Sequence, residues 1–67
     1  MVEVTMMGKL NKVIFLNPHQ IEYIEADAST TIVMLSGKRL VVQEKYSTIF
    51  DRIVEYRRLI GGFKNEE

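Results

Sequence analysis

The chain has no cysteine, a single histidine, a single proline and four glycines in 67 residues, and nine basic residues are matched by nine acidic ones. Each scarcity removes a class of function. Without cysteine there is no disulfide stapling, the usual support of small secreted domains, and no thiolate zinc site or cysteine nucleophile. A reducing compartment is the simpler reading. A formal net charge of +0 leaves no overall positive field to draw the surface onto phosphate. No uncharged stretch approaches the ~20 residues that cross a bilayer. The opening Met1-Val2-Glu3-Val4 lacks the basic segment that precedes the apolar run of a secretory signal. The expected location is the cytoplasm.

What is present is ordinary globular material, 46% hydrophobic and 27% charged, too apolar to stay disordered and too charged to span a membrane. One domain fits. A chain of this length buries only roughly 60% of the surface its unfolded form exposes, so its core is thin.

Period-two patterning predicts five strands, at about residues 2–6, 12–16, 21–26, 30–36 and 39–43. Gly8-Lys9 turns the first into the second, and Asn17-Pro18-His19 stops the second, because proline has no N–H for a ladder and asparagine bonds its own backbone in turns. In the third, alternation puts Ile21, Tyr23 and Glu25 on one face and Glu22, Ile24 and Ala26 on the other. Asp27-Ala28-Ser29 and Ser36-Gly37-Lys38 separate the last three. The period then changes. Ile49, Phe50, Ile53, Val54, Arg57 and Ile60 recur at three- and four-residue steps, with Tyr46 able to join them, which predicts a helix over about residues 47–60. Ser47 or Thr48 is the expected cap, with Asp51 in capping-box position. Gly61-Gly62 ends the helix and residues 61–67 form a tail.

The fold class is therefore α+β, a small antiparallel sheet of about five short strands followed by one C-terminal α-helix. Residues 13–16, 32–35 and 40–42 place apolar side chains at consecutive positions and so on both faces of the sheet. One helix covers one face. The other must curl into a barrel-like form, pack against another chain, or both, and a core this small favours a homo-oligomer.

Chemistry is scarce. His19 sits in a loop with no second histidine and no carboxylate at ligand spacing, so it reads as a surface residue, and no metal or cofactor is expected. Glu22, Glu25 and Asp27 form a small acidic group, but Glu22 and Glu25 point to opposite faces, which spoils a shared carboxylate site. None of the glycines lies between a strand and a helix start, where a phosphate cradle would need it. No catalytic residue is nominated, and the chain reads as a non-enzyme.

Charge is mildly uneven. Residues 1–36 carry two basic against four acidic residues and the remainder seven against five. Arg52, Arg57 and Arg58 share the helix with Asp51 and Glu55, which reads either as a solvated surface laced with weak ion pairs or as a docking surface. Tyrosine and arginine supply most interface anchors, so Tyr56, Arg57, Arg58 and Phe63 are the candidate partner-binding residues.

The segments Leu16-Asn17-Pro18-His19-Gln20-Ile21-Glu22-Tyr23-Ile24-Glu25, the run from Thr30 through Ser36-Gly37-Lys38 to Val41-Val42-Gln43-Glu44, and Ile53-Val54-Glu55-Tyr56-Arg57-Arg58-Leu59-Ile60 resemble the FlbD family of small bacterial flagellar proteins, also called the SwrD family. The resemblance spans nearly the whole chain. It departs at two loops: Asp27-Ala28-Ser29-Thr30 stands where the family reads Thr-Pro-Asp-Thr, and the first hairpin turn is longer than the family's Asn-Gly. What the resemblance implies is a non-enzymatic accessory of the flagellar motor that supports torque or swarming by binding a motor or stator component at the cytoplasmic face of the membrane.

A second resemblance competes with it. Five strands, a helix and the opening Val2-Glu3-Val4-Thr5 are also similar to the carbon-storage-regulator family of RNA-binding dimers. That family follows its threonine with arginine and carries another arginine before the helix; here those places hold Met6-Met7 and Gln43-Glu44-Lys45-Tyr46. A looser likeness to five-stranded DNA-binding modules of response regulators rests on the strand at residues 21–26 and the turn at Gly37. RNA binding stands as the alternative function, and nucleic acid as the less expected partner.

Overall fold

The computed structural model describes residues 1–8 and 10–61. Lys9 of the first turn, Gly62 at the expected helix end and residues 64–67 of the expected tail lie outside the described residues.

Five strands precede one helix: β1 (Val2–Thr5), β2 (Val13–Leu16), β3 (Ile21–Ala26), β4 (Thr30–Met34), β5 (Arg39–Val42) and α1 (Tyr46–Gly61). β1 and β2 form one antiparallel pair, with Val2 opposite Leu16 and Val4 opposite Ile14. β3, β4 and β5 form a three-stranded antiparallel sheet. The two meet at a corner. Met6 bridges Val42, Gln43 N–H donates to the Thr5 carbonyl at 2.8 Å, and Met7 N–H donates to the Val41 carbonyl at 3.0 Å. The strands thus follow one another as β2, β1, β5, β4 and β3, with β2 and β3 at the two edges.

The barrel-like closure expected from the sequence does not form. β2 and β3 are joined by a 3-10 turn at Pro18–Gln20 instead of a ladder, and Asn17 holds that turn by accepting the His19 N–H at 3.0 Å. Proline's missing donor and the asparagine cap divert the backbone out of pairing.

The inner faces of both sheets and the helix meet in a core of Val2, Val4, Leu16, Ile32, Val42 and Ile49. Ile49, Ile32 and Val4 are completely buried. Ile14, Ile21, Ile24, Met34, Leu40, Ile53 and Tyr56 pack around them. Ile21 is on this inner face, not with Tyr23 and Glu25, because a bulge between Ile21 and Tyr23 shifts the register and pairs Ile21 with Met34. One extra residue reverses the facing of everything before it.

The helix differs from expectation in two respects. It starts at Tyr46, and the Lys45 carbonyl accepts the Thr48 and Ile49 N–H groups at 3.0 and 3.2 Å, so Ser47 and Thr48 lie inside the first turn and do not cap it. It also buries a narrower stripe. Ile49 is buried and Ile53 and Tyr56 half-buried, while Phe50 is 63% exposed and Val54 47%. α1 lies mainly along β1, and a single strand gives a surface only about one row of side chains wide.

The second face of the three-stranded sheet is partly covered from within. Tyr23, Val33 and Arg39 lie side by side across β3, β4 and β5, and Val33 is only 5% exposed. Arg39 bonds Glu25 at 2.7 Å across β4, covering it.

Candidate functional site

The C-terminal half of α1 carries the residues nominated from sequence, and the structure sends them in different directions. Tyr56 turns inward, half-buried against the core, with its ring edge-on to His19 at a centroid distance of 6.0 Å. Arg58, two positions on and about 200° around the helix, is exposed and holds both Glu55 carboxylate oxygens from Nη2 at 2.9 Å each. Arg57 is exposed beside the apolar flank of the helix. Phe63 lies outside the described residues.

That apolar flank is what periodicity misassigned. Tyr46, Phe50 and Val54 step along α1 at four-residue intervals and are 59%, 63% and 47% exposed, with Arg57 next to them by helical position. Nothing in the sequence distinguishes Phe50 from Ile49; only the docking angle of the helix does.

Between α1 and β1 an ion-pair cluster ties the helix to the strand. Glu44, just ahead of the helix, accepts the Thr5 N–H on Oε1 and the Thr5 hydroxyl on Oε2, each at 2.9 Å. Arg52 Nη1 reaches the same Oε2 at 3.3 Å and the Glu3 carbonyl at 2.7 Å. Glu44's side chain is only 12% exposed. Burial pushes its carboxyl up, but the two Thr5 hydrogen bonds, its own backbone and the Arg52 charge outweigh that and hold it below the ordinary carboxylate value. Sequence reading had no access to this cluster, since Thr5 and Glu44 are 39 positions apart.

A second concavity lies along the open edge of β2. Ile14, Phe15, Leu16, Met34, Leu40 and Lys38 line a groove of about 390 Å³, which continues toward Met6 and Lys12. Its floor is apolar and its rim carries lysine. Among the described residues no three His, Cys, Asp or Glu side chains come together as a metal site, and no described helix is long and apolar enough to cross a membrane. Such surfaces suit docking more than bond-making.

The family model for FlbD, described as flagellar and swarming motility proteins, matches residues 1–61. No curated protein and no solved structure matches.

Proposed function

Because the chain belongs to the FlbD family of flagellar and swarming motility proteins, we propose that it is a non-enzymatic accessory of the flagellar motor, acting as a homo-oligomer through protein–protein contacts at the cytoplasmic side of the membrane. The observation that carries this reading is the family match, which takes in every strand and the whole of α1. The surfaces support it. The helix offers Tyr46, Phe50 and Val54 next to Arg57 and Arg58, an apolar strip flanked by guanidinium groups, which is the composition of an interface patch. Tyr56 anchors that part of the helix from below. The partner is a motor or stator component.

Deleting the gene tests the reading. The expected result is cells that still carry filaments but swim or swarm weakly, restored by the wild-type chain. Cells without filaments overturn it, because the protein then serves assembly and not the working motor.

A further inference from the structure

The open edge of β2 is specific about what can occupy it. Met6 N–H donates to the Lys12 carbonyl at 2.8 Å, in register with Val4 opposite Ile14 and Val2 opposite Leu16. Antiparallel hydrogen bonding alternates by residue, so Ile14 and Leu16 bond to β1 while the N–H and C=O groups of Val13 and Phe15 point outward. Among the described residues no hydrogen bond reaches them from outside that ladder. The opposite edge, β3, is broken by its bulge and carries Glu22, devices that blunt an edge. β2 has neither, and its Val13 and Phe15 side chains are 45% and 62% exposed.

A second observation concerns Leu10. It is 99% exposed and held at φ +52, followed by Asn11 at φ +60, a conformation that costs a leucine energy. The turn is not free to bury it: Gln43 Nε2 ties the Met6 carbonyl and the Asn11 Oδ1 at 3.0 and 2.9 Å. A fixed turn thus presents a large apolar side chain to solvent.

We infer that two copies of this chain pair through β2, antiparallel about a two-fold axis at Ile14, and that the Leu10 turn of each copy enters the groove of the other. This rests on the homo-oligomer in the reading above and names its interface. The register follows from the backbone. Only with Val13 opposite Phe15 of the second copy do both outward-pointing residues of each strand meet outward-pointing partners, making four hydrogen bonds. The same register sets a β-branched side chain against an aromatic one on the outer face, Ile14 against Ile14 on the inner face, and Lys12 against Leu16. The two Lys12 residues lie four positions out of register, roughly 13 Å along the strands and beyond the ~8 Å screening length at physiological salt, so the lysine rim does not oppose the pairing. Continuing the register, Leu10 of one copy falls opposite Pro18 of the other, at the Leu16, Asn17 and Gln20 end of the groove. The result is a four-stranded sheet with Met34 and Leu40 covered.

The test combines solution mass by light scattering over a hundredfold concentration range with backbone amide exchange read by NMR. The expected result is twice the chain mass, with the Val13 and Phe15 amides exchanging about tenfold or more slowly in the dimer than in the dilute chain. Val13→Pro removes a donor that β1 does not use, and should raise the dimer Kd about thirtyfold, two of four bonds being lost. Leu10→Asn leaves β2 intact, suits the positive φ, and should weaken the dimer about tenfold; it answers the question if the proline variant does not fold. A dimer in which Val13 and Phe15 exchange as in the dilute chain overturns this interface and leaves the homo-oligomer standing. A monomer at every concentration overturns both, leaves the motility reading to the deletion phenotype, and assigns the β2 edge to a strand of a different protein.

Discussion

Arg39 reaches across β4 to Glu25, Nη2 donating to Oε1 at 2.7 Å, and Val33, its neighbour in β4, is 5% exposed. A sheet face that its apolar content would assign to another chain is thus partly closed by one ion pair and the methylene stem of an arginine. The cover is intramolecular. Its removal has a definite signature: Arg39→Met, which keeps the stem, should leave urea stability almost unchanged, and Arg39→Ser should lower it. Equal losses in the two would mean that the charge, not the stem, protects Val33.

Val33→Ala deletes two methyl groups beneath that cover. The expected cost is about 1.5 kcal/mol from the lost burial, measured as a lower urea midpoint with unchanged slope. A change in slope would instead point to altered compactness.

Among the described residues Ile49 is the one helix side chain with no exposed surface. Truncating it to alanine should cost about 2–5 kcal/mol, a large part of the stability of a domain this small. Far-UV circular dichroism should show a much lower melting temperature, because α1 has no other fully buried anchor among the described residues.

Glu44 makes stability depend on acid. Its folded carboxyl titrates below the ordinary value of 4.5, so its contribution is fully present above that value and is lost as pH falls through the folded one. Urea midpoints should therefore be flat from pH 7 to about pH 5 in this respect and fall below it. Glu44→Gln should cost about 1.5–3 kcal/mol at pH 7 from hydrogen bonds to a charged group, and its midpoint should decline less on acidification. Parallel wild-type and variant curves would remove Glu44 as the source.

The exposed strip on α1 separates stability from motility. Phe50→Ser and Val54→Ser alter side chains the core does not use, so stability should change by no more than about 0.5 kcal/mol, as should the double variant Arg57→Ala, Arg58→Ala. Swarming should fall in each if this strip meets the motor. Full motility in all of them would move the partner surface elsewhere.

Much of the architecture was legible in the linear pattern. Alternation marked five strands, Pro18 and Gly37 marked breaks, and the three- and four-residue spacing from Ile49 onward marked the helix. The exceptions share one cause. Ile21 looks like a neighbour of Tyr23 and Glu25 on one face until the β3 bulge sends it to the core; Phe50 looks like Ile49 until the helix settles on β1; Thr48 looks like a cap until Glu44 is drawn to Thr5 and the helix starts before it.

By itself the sequence determined the order and kind of the elements, and through its residue patterns the family, because hydrophobic period and turn chemistry are local properties of a few neighbouring residues. Tertiary structure decided which apolar side chains are buried, that the sheet stays open at β2, and that Glu44 and Arg39 hold its parts together. Those outcomes depend on the angle at which distant segments meet, and that angle is a property of the packed chain, not of any stretch within it.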